Sequence, residues 1–84
     1  MNEAELKSRV IAIIQSIAPE VEADELRPEQ PLRRQVDLDS MDWLNVLLAI
    51  HEQLQVDIPE ADYARLVTLD DMVGYLQVKL GGRP

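Results

Sequence analysis

The sequence predicts an all-α fold, a small four-helix bundle with three longer helices, one short helix and a long loop after the first helix. Apolar residues recur at intervals of three and four over three separate segments, which indicates helices with one apolar face. No segment shows the alternation that is typical of a half-buried strand. With 84 residues the chain has room for one modest core, so we expect residues 1–84 to form a single domain.

The composition narrows the possible functions. Hydrophobic residues make up 46% of the chain and charged residues 29%, which favours a globular domain over a disordered one. The chain has no cysteine, which excludes disulfides, a thiolate nucleophile and thiolate metal ligands. Any thiol chemistry must therefore come from a cofactor.

The net charge of −8 is unevenly distributed along the chain. Residues 1–34 contain seven acidic and five basic residues, whereas residues 35–84 contain nine and three. Such a surface disfavours nucleic acid and anionic lipid and favours basic protein partners, the alternative being acidity that serves only solubility. No basic segment leads into an apolar one at the N-terminus, and no apolar run could span a membrane. We expect a cytoplasmic monomer with no nucleic-acid or membrane partner.

The first element is an amphipathic helix over residues 2–18, which Pro19 ends. Its apolar face comprises Leu6, Val10, Ile13, Ile14 and Ile17. From Pro19 to Asp39 follows a long connection that contains three prolines; loops of this length are uncommon in compact domains and often functional. Four apolar residues are expected to hold it over the core: Val21, Leu26, Leu32 and Val36.

Residues 40–54 predict a helix with two apolar stripes. We assign the first stripe to the core: Trp43, Val46, Leu47, Ile50 and Leu54. The second stripe, Met41, Leu44 and Leu48, is rotated well away from it, and a small domain cannot bury a helix on all sides. We expect the second stripe at the surface, the alternative being a wider core face. Five residues are expected on a solvated face: Asp42, Asn45, Ala49, Glu52 and Gln53.

The remaining residues predict one short helix and one longer helix. The segment from Asp57 to Glu60 indicates a break and a fresh start, followed by a short helix through about Leu66 with Tyr63 and Leu66 turned inward. Thr68 is a good N-cap with an acid three residues later. The last amphipathic helix carries Leu69, Met72, Val73, Leu76 and Leu80, and residues 81–84 are expected to be a frayed end.

A helix start at Ser40 is the most informative feature of the sequence. Asp39 is a good N-cap residue, and Asp42 suits the positive end of the helix dipole. Ser40 then becomes the first helical residue, with its hydroxyl at the helix N-terminus. A phosphate attached there would meet free backbone N–H groups. The alternative is a helix-start serine without chemistry.

The residues Asp39-Ser40-Met41 resemble the Asp-Ser-Leu motif of the acyl carrier proteins. The resemblance continues through the helix to Leu54, then through residues 56–63 and 68–76, with matching order, spacing and total length. It implies a protein that is not an enzyme and that carries 4′-phosphopantetheine on Ser40, attached by a phosphopantetheinyl transferase. The arm's thiol would carry acyl groups as thioesters between partners such as an acyl-carrier ligase or synthase. Fatty acid and specialised lipid or polyketide-type biosynthesis are the implied settings.

The resemblance also implies a partner-facing surface on the helix that starts at Ser40. Its residues are Met41, Asp42, Leu44, Asn45, Leu48, His51 and Glu52. Several positions depart from the family pattern: Asp37 replaces a glycine, Met41 a leucine, Asn45 and His51 two glutamates, and Trp43 a smaller residue, while Arg33 and Arg34 precede the motif. Fewer acids on this face predict weaker long-range electrostatic attraction between the carrier and basic enzymes. This favours a specialised carrier over one that serves the general fatty acid synthase.

Two other functions remain open on sequence alone: a carrier of aminoacyl or peptidyl groups, and an unmodified helical interaction module. Three other sites are rejected. A calcium loop from Asp37 would need glycine at Asp42 and glutamate at Leu48. An aspartate phosphotransferase pair has no sheet to display it. A pair of Ser40 with His51, the only histidine, would span about 16 Å along one helix. We therefore predict neither a catalytic site nor a metal site.

Overall fold

A computed structural model describes residues 2–81 of the chain. It contains four α-helices and two 3-10 helices: α1 (Glu3–Ile17), the 3-10 helix Ala23–Glu25, α2 (Leu32–Gln35), α3 (Ser40–Leu54), the 3-10 helix Glu60–Arg65 and α4 (Leu69–Gly81). Within residues 2–81 there is no strand, only an isolated bridge between Pro31 and Thr68. The predicted all-α class with three longer helices is confirmed. The frayed end was expected to begin at Gly81, but Gly81 is the last residue of α4. Residues 82–84 lie outside the described residues.

Side chains that hydrogen-bond to free backbone groups fix where the long helices begin. Asn2 accepts from the N–H of Glu5 at 2.8 Å, and the Glu5 carboxylate accepts from the N–H of Asn2 at 3.3 Å. Thr68 and Asp71 form the same reciprocal pair before α4, at 2.9 and 3.1 Å. Each pair satisfies two N–H groups that have no partner inside the helix. The cap predicted at Thr68 is confirmed.

The core lies where α1 packs against α3 and α4. Four of the five residues predicted to form the core stripe of α3 are buried: Val46, Leu47, Ile50 and Leu54. Trp43 is only half-buried and packs against the edge of the core. Ala49, expected in solvent, also packs partly against the core because it lies one turn from Val46 and beside Ile50. Leu80, expected on the core face of α4, lies in the last turn and is 37% exposed.

The long connection is more ordered than the sequence predicts, since it contains a 3-10 helix and α2. Leu32 is fully buried, and its N–H donates to the carbonyl of Val67 at 2.9 Å. The N–H of Asp70 donates to the carbonyl of Pro28 at 3.0 Å. These bonds hold the connection against the start of α4. As expected, Val21, Leu32 and Val36 are buried, and Leu26 packs against the core.

The chain reverses between α3 and α4 through two further features. Gln55 ends α3 in the left-handed conformation (φ 56°), and its side chain donates to the carbonyl of Glu52 at 2.8 Å, which satisfies a free carbonyl of the last turn. The predicted short helix is present as a 3-10 helix over Glu60–Arg65. Leu66 is buried and Tyr63 half-buried, as expected. None of the helices within residues 2–81 is both long enough and apolar enough to cross a lipid bilayer.

Candidate functional site

The site forms where the long connection passes into α3. Val36 and Leu38 are buried, whereas Asp37 and Asp39 are exposed, as in an extended segment whose side chains alternate between two sides. The two buried side chains anchor the segment to the core. The helix that follows therefore begins at the surface, and Ser40, its first residue, is exposed.

Asp39 caps the N-terminus of α3, as predicted. Its carboxylate accepts a hydrogen bond from the N–H of Asp42 at 2.8 Å, and its carbonyl accepts from the N–H of Trp43 at 2.9 Å. Within residues 2–81 the N–H groups of Ser40 and Met41 have no protein partner. Two backbone donors therefore remain available beside the Ser40 hydroxyl.

The residues at this helix start fit a phosphate ester on Ser40. The two remaining N–H groups and the positive end of the 15-residue helix α3 both favour an anion at that position. Arg33 adds a positive charge on the approach to the motif, since its Nε donates to the carbonyl of Leu38 at 3.3 Å. Nearby Asp37 opposes an anion, but it is exposed and screened by solvent.

The second apolar stripe of α3 lies at the surface. Met41 is 67% exposed, Leu44 37% and Leu48 49%, so the alternative of a wider core face is excluded. Asn45, His51 and Glu52 are also exposed and Asp42 is half-buried. The seven residues expected to face partners are therefore accessible along one helix that begins at Ser40.

His51 makes a contact that the sequence did not predict. Its Nδ1 lies 2.8 Å from the carbonyl oxygen of Val56, and because a carbonyl only accepts, Nδ1 must carry the proton. The bond ties the end of α3 to the segment after it. His51 is thus engaged near the end of α3 that lies away from Ser40. The sequence could not predict this bond, because helical periodicity gives no information about contacts with residues outside the helix.

Two apolar hollows lie near α3. A crevice between α3 and α4 is too narrow to admit a water molecule; it is lined by Ile50, Ile58, Leu66, Met72, Tyr75 and Leu76. A surface groove of about 200 Å³ lies close to the start of α3, lined by Pro31, Arg33, Trp43, Tyr63, Ala64, Leu66 and Val67. Sequence reasoning missed this groove; its one signal was a tryptophan three residues after Ser40, at a position usually filled by a smaller residue.

The acids around Ser40 do not form a metal centre in the structure. Within residues 2–81 no group of three or more His, Cys, Asp or Glu side chains converges closely enough to hold an ion. Asp39 is instead engaged by the backbone N–H of Asp42. What this helix start offers is an exposed hydroxyl beside backbone donors.

Residues 8–76 match the family described as the phosphopantetheine attachment site. The chain belongs to the phosphopantetheine-attachment family. This membership confirms the resemblance to acyl carrier proteins and the expectation of a 4′-phosphopantetheine cofactor. Proteins of this kind are carriers and not enzymes, so the chemistry is performed by the cofactor and by partner enzymes.

Several curated proteins that are similar to this chain are named acyl carrier protein. That of Campylobacter jejuni is 29% identical over 56 residues, covering 67% of this chain and 73% of the relative. That of Helicobacter hepaticus is 28% identical over 57 residues, covering 68% and 75%. That of Chlorobium phaeovibrioides is 29% identical over 79 residues, covering 94% and 100%. The expected function as an acyl carrier is thereby confirmed.

Proposed function

We propose that Ser40 is the residue to which the phosphopantetheine arm is attached, within a single domain of residues 1–84. The observation that carries the proposal is the geometry of the start of α3. The Ser40 hydroxyl is exposed, and the N–H groups of Ser40 and Met41 have no partner within residues 2–81. A phosphodiester at this position can accept from both groups.

The roles of the chain's own residues follow from the same geometry. A phosphopantetheinyl transferase would move the arm from coenzyme A to the Ser40 oxygen. Asp39 holds the first turn of α3 through its bond to Asp42, so it orients the hydroxyl and the backbone donors. When bound, the arm supplies a terminal thiol that carries an acyl group as a thioester. The protein anchors this arm and presents it to partners.

We propose that partner enzymes dock on the exposed face of α3. Family membership implies a phosphopantetheinyl transferase and acyl-transfer enzymes as partner classes; an acyl-carrier ligase or synthase is the specific partner that we propose. The proposed contact residues are Met41, Asp42, Leu44, Asn45, Leu48, His51 and Glu52. The stripe of Met41, Leu44 and Leu48 supports this role, because exposed contiguous apolar residues are typical of interaction sites.

We further propose a specialised carrier rather than the housekeeping carrier of fatty acid synthesis. Asn45 and His51 are exposed where acids are usual in the family, so the docking face attracts basic enzymes less strongly. We also propose that it acts as a monomer in the cytoplasm. The sedimentation coefficient of the modified protein tests whether it is a monomer.

Modification in vitro tests the assignment of Ser40. The chain contains three serines, Ser8, Ser16 and Ser40, and Ser16 already donates to the carbonyl of Ile13 at 2.6 Å. Incubation with coenzyme A and a broad-specificity transferase should add one arm to the wild type and to Ser8→Ala, but none to Ser40→Ala. Modification of Ser40→Ala would disprove the assignment, and an unmodified wild type would favour the plain interaction module.

A further inference from the structure

We propose that the hollow between α4 and the 3-10 helix Glu60–Arg65 is a second docking surface, which receives an acidic helix of a partner protein. The hollow has a volume of about 390 Å³. None of the seven residues proposed as partner contacts on α3 lines it, so it is distinct from the surface that begins at Ser40. Its walls include Asp62 and Arg65 of the 3-10 helix and Gly74, Tyr75, Val78 and Lys79 of α4.

Gly74 is a glycine that the packing of the described residues does not require. It lies inside α4, where glycine destabilises a helix relative to alanine. A Cβ atom at this position would meet no neighbouring atom within 4 Å, so no other segment of the described chain needs the side chain to be absent. The missing side chain instead lets another helix approach the α4 backbone closely, because the distance between packed helices depends on the side chains at the contact.

Val78 supplies apolar surface beside Gly74. It follows Gly74 by four residues and therefore lies on the same face of α4. Val78 is 73% exposed, compared with 67% for Met41 on the proposed docking face of α3. An apolar side chain of a partner helix that rests on Gly74 would cover Val78, and removal of apolar area from water favours association.

Two cations at the hollow determine which kind of helix it accepts. Arg65 and Lys79 are the only basic residues between positions 36 and 81. Both nevertheless reach the same aromatic ring: the guanidinium carbon of Arg65 lies 5.8 Å and the Nζ of Lys79 5.4 Å from the centre of the Tyr75 ring. These cation–π contacts hold both side chains at the hollow. Carboxylates of a partner helix would therefore meet two positioned donors.

The acids at the hollow already have partners, whereas the cations retain unused donors. Asp62 accepts a hydrogen bond of 2.6 Å from the hydroxyl of the same tyrosine and lies 3.8 Å from Arg65. Asp71 accepts from a backbone N–H at the start of α4, at 3.1 Å. Lys79 forms no ion pair with any described residue, and the Arg65 side chain is 71% exposed. Both cations can therefore bind a further carboxylate.

A partner helix fits this surface better than other occupants do. The net charge of −8 repels nucleic acid and anionic membranes, which present negative charge over a wide area, and it makes two copies of this chain repel each other. A helix with one or two carboxylates needs a match only where Arg65 and Lys79 lie. The apolar contact at Gly74 and Val78 adds an interaction that a free anion would not make.

Photocrosslinking in the native host tests which protein segment contacts α4. The chain carries benzoylphenylalanine in place of Val78 or, in control proteins, in place of Leu48 on α3 or Lys7 on α1, and the crosslinked peptides are sequenced by mass spectrometry. The probe at position 78 should react with an acidic peptide of another protein whose apolar residues recur at helical spacing. The probe at position 48 should give different peptides, and the probe at position 7 gives the background.

A matched pair of glycine variants tests the close approach to α4. Combined with the probe at position 78, Gly74→Leu should abolish the crosslink, because the new side chain occupies the place of the partner helix. The same substitution should raise the melting temperature by roughly 4 °C, since leucine is a better helix former, so loss of the crosslink would not reflect unfolding. Gly81→Leu should retain the crosslink, because Gly81 also has open space at its Cβ but does not line the hollow.

Charge variants test the preference for an acidic segment. Lys79→Gln and Arg65→Gln should each reduce the yield of the crosslink at position 78 by roughly two- to fivefold, the effect of one exposed ion pair. Lys7→Gln is the matched control, because Lys7 is exposed on α1 and does not line the hollow, and it should leave the yield unchanged.

The outcomes separate this inference from the assignment of Ser40. Ser40→Ala should retain the crosslink at position 78, because no residue of the hollow carries the arm. Loss of the crosslink in Ser40→Ala would assign the contact to enzymes that act on the arm and would overturn the inference. A yield no higher than the background, a basic peptide, a peptide from a second copy of this chain, or a crosslink that persists in Gly74→Leu would also overturn it.

Discussion

The hydroxyl of Tyr75 in α4 donates a hydrogen bond of 2.6 Å to the carboxylate of Asp62 in the second 3-10 helix. This bond joins α4 to the second 3-10 helix through two residues that lie thirteen positions apart in the sequence. Partial burial of the hydroxyl and then the bond to Asp62 raise the pKa of Tyr75 from 10.0 to about 12. The neutral phenol is therefore favoured in the folded state.

Removal of this hydroxyl should destabilise the protein in a pH-dependent way. Tyr75→Phe should lower the free energy of unfolding by about 1 kcal/mol near neutral pH, the usual value of such a bond. Because the folded pKa lies above the unfolded one, this contribution is complete below pH 10 and is lost as the pH rises toward 12. Urea unfolding of both proteins between pH 8 and about pH 12 measures the difference.

Tyr63→Phe is the control for this experiment, because the Tyr63 hydroxyl has no hydrogen-bond partner within residues 2–81. It should leave both the stability and its alkaline pH dependence close to those of the wild type. A difference between Tyr75→Phe and wild type that is the same at pH 9 and at pH 12 would show that the hydroxyl does not act through its ionisation.

The orientation of α3 predicts opposite effects for two of its apolar residues. Ile50 is fully buried, so Ile50→Ala should cost about 2–5 kcal/mol of unfolding free energy. Leu48 is 49% exposed, so Leu48→Ala should change stability by less than about 1 kcal/mol. Leu48→Ala should instead slow acyl transfer to or from the cognate enzyme. Equal loss of stability in the two variants would contradict the assignment of the two stripes.

The cap at Asp39 should be needed for both stability and modification. Asp39→Ala removes the acceptor of the Asp42 N–H bond and should cost about 1 kcal/mol. It should also slow loading of Ser40, because the first turn that presents the hydroxyl frays. Asp37→Ala is the matched control, since Asp37 is exposed and its side chain makes no hydrogen bond within residues 2–81. Thermal unfolding and the rate of phosphopantetheine transfer check both variants.

Binding of the cognate enzyme should depend mainly on desolvation of the Met41, Leu44 and Leu48 stripe and only weakly on salt. Asn45→Glu should raise the rate of association with a basic fatty acid synthase enzyme at low salt. His51→Glu should do the same but also removes the bond to Val56, so His51→Gln serves to separate charge from the lost bond. Tight binding of the wild type to that enzyme, with a steep salt dependence, would contradict the specialised carrier.

What the sequence predicted correctly depends on short-range physics. The caps at Asp39 and Thr68 are confirmed because each is a hydrogen bond between a side chain and the backbone three residues later. The buried position of Ile50 and the exposed position of Leu48 follow from the period of one helix. These features need no knowledge of the rest of the fold.

The features that the sequence did not predict depend on contacts between distant segments. Helix α2 is short, and its Leu32 N–H pairs with Val67, 35 positions further on. The groove exists because Trp43 of α3 and Tyr63 of the 3-10 helix, twenty positions apart in the sequence, line the same hollow. No local sequence pattern indicates that such distant segments come together, so these features are seen only in the folded chain.

Mass spectrometry of the protein isolated from its native host tests the attachment at Ser40 most directly. The intact mass should show one phosphopantetheine arm per chain, free or acylated, and fragmentation should place it on the peptide that contains Ser40. The mass of the acyl group would then identify the cargo. A native protein that carries no arm, or an arm on any residue other than Ser40, would contradict the account.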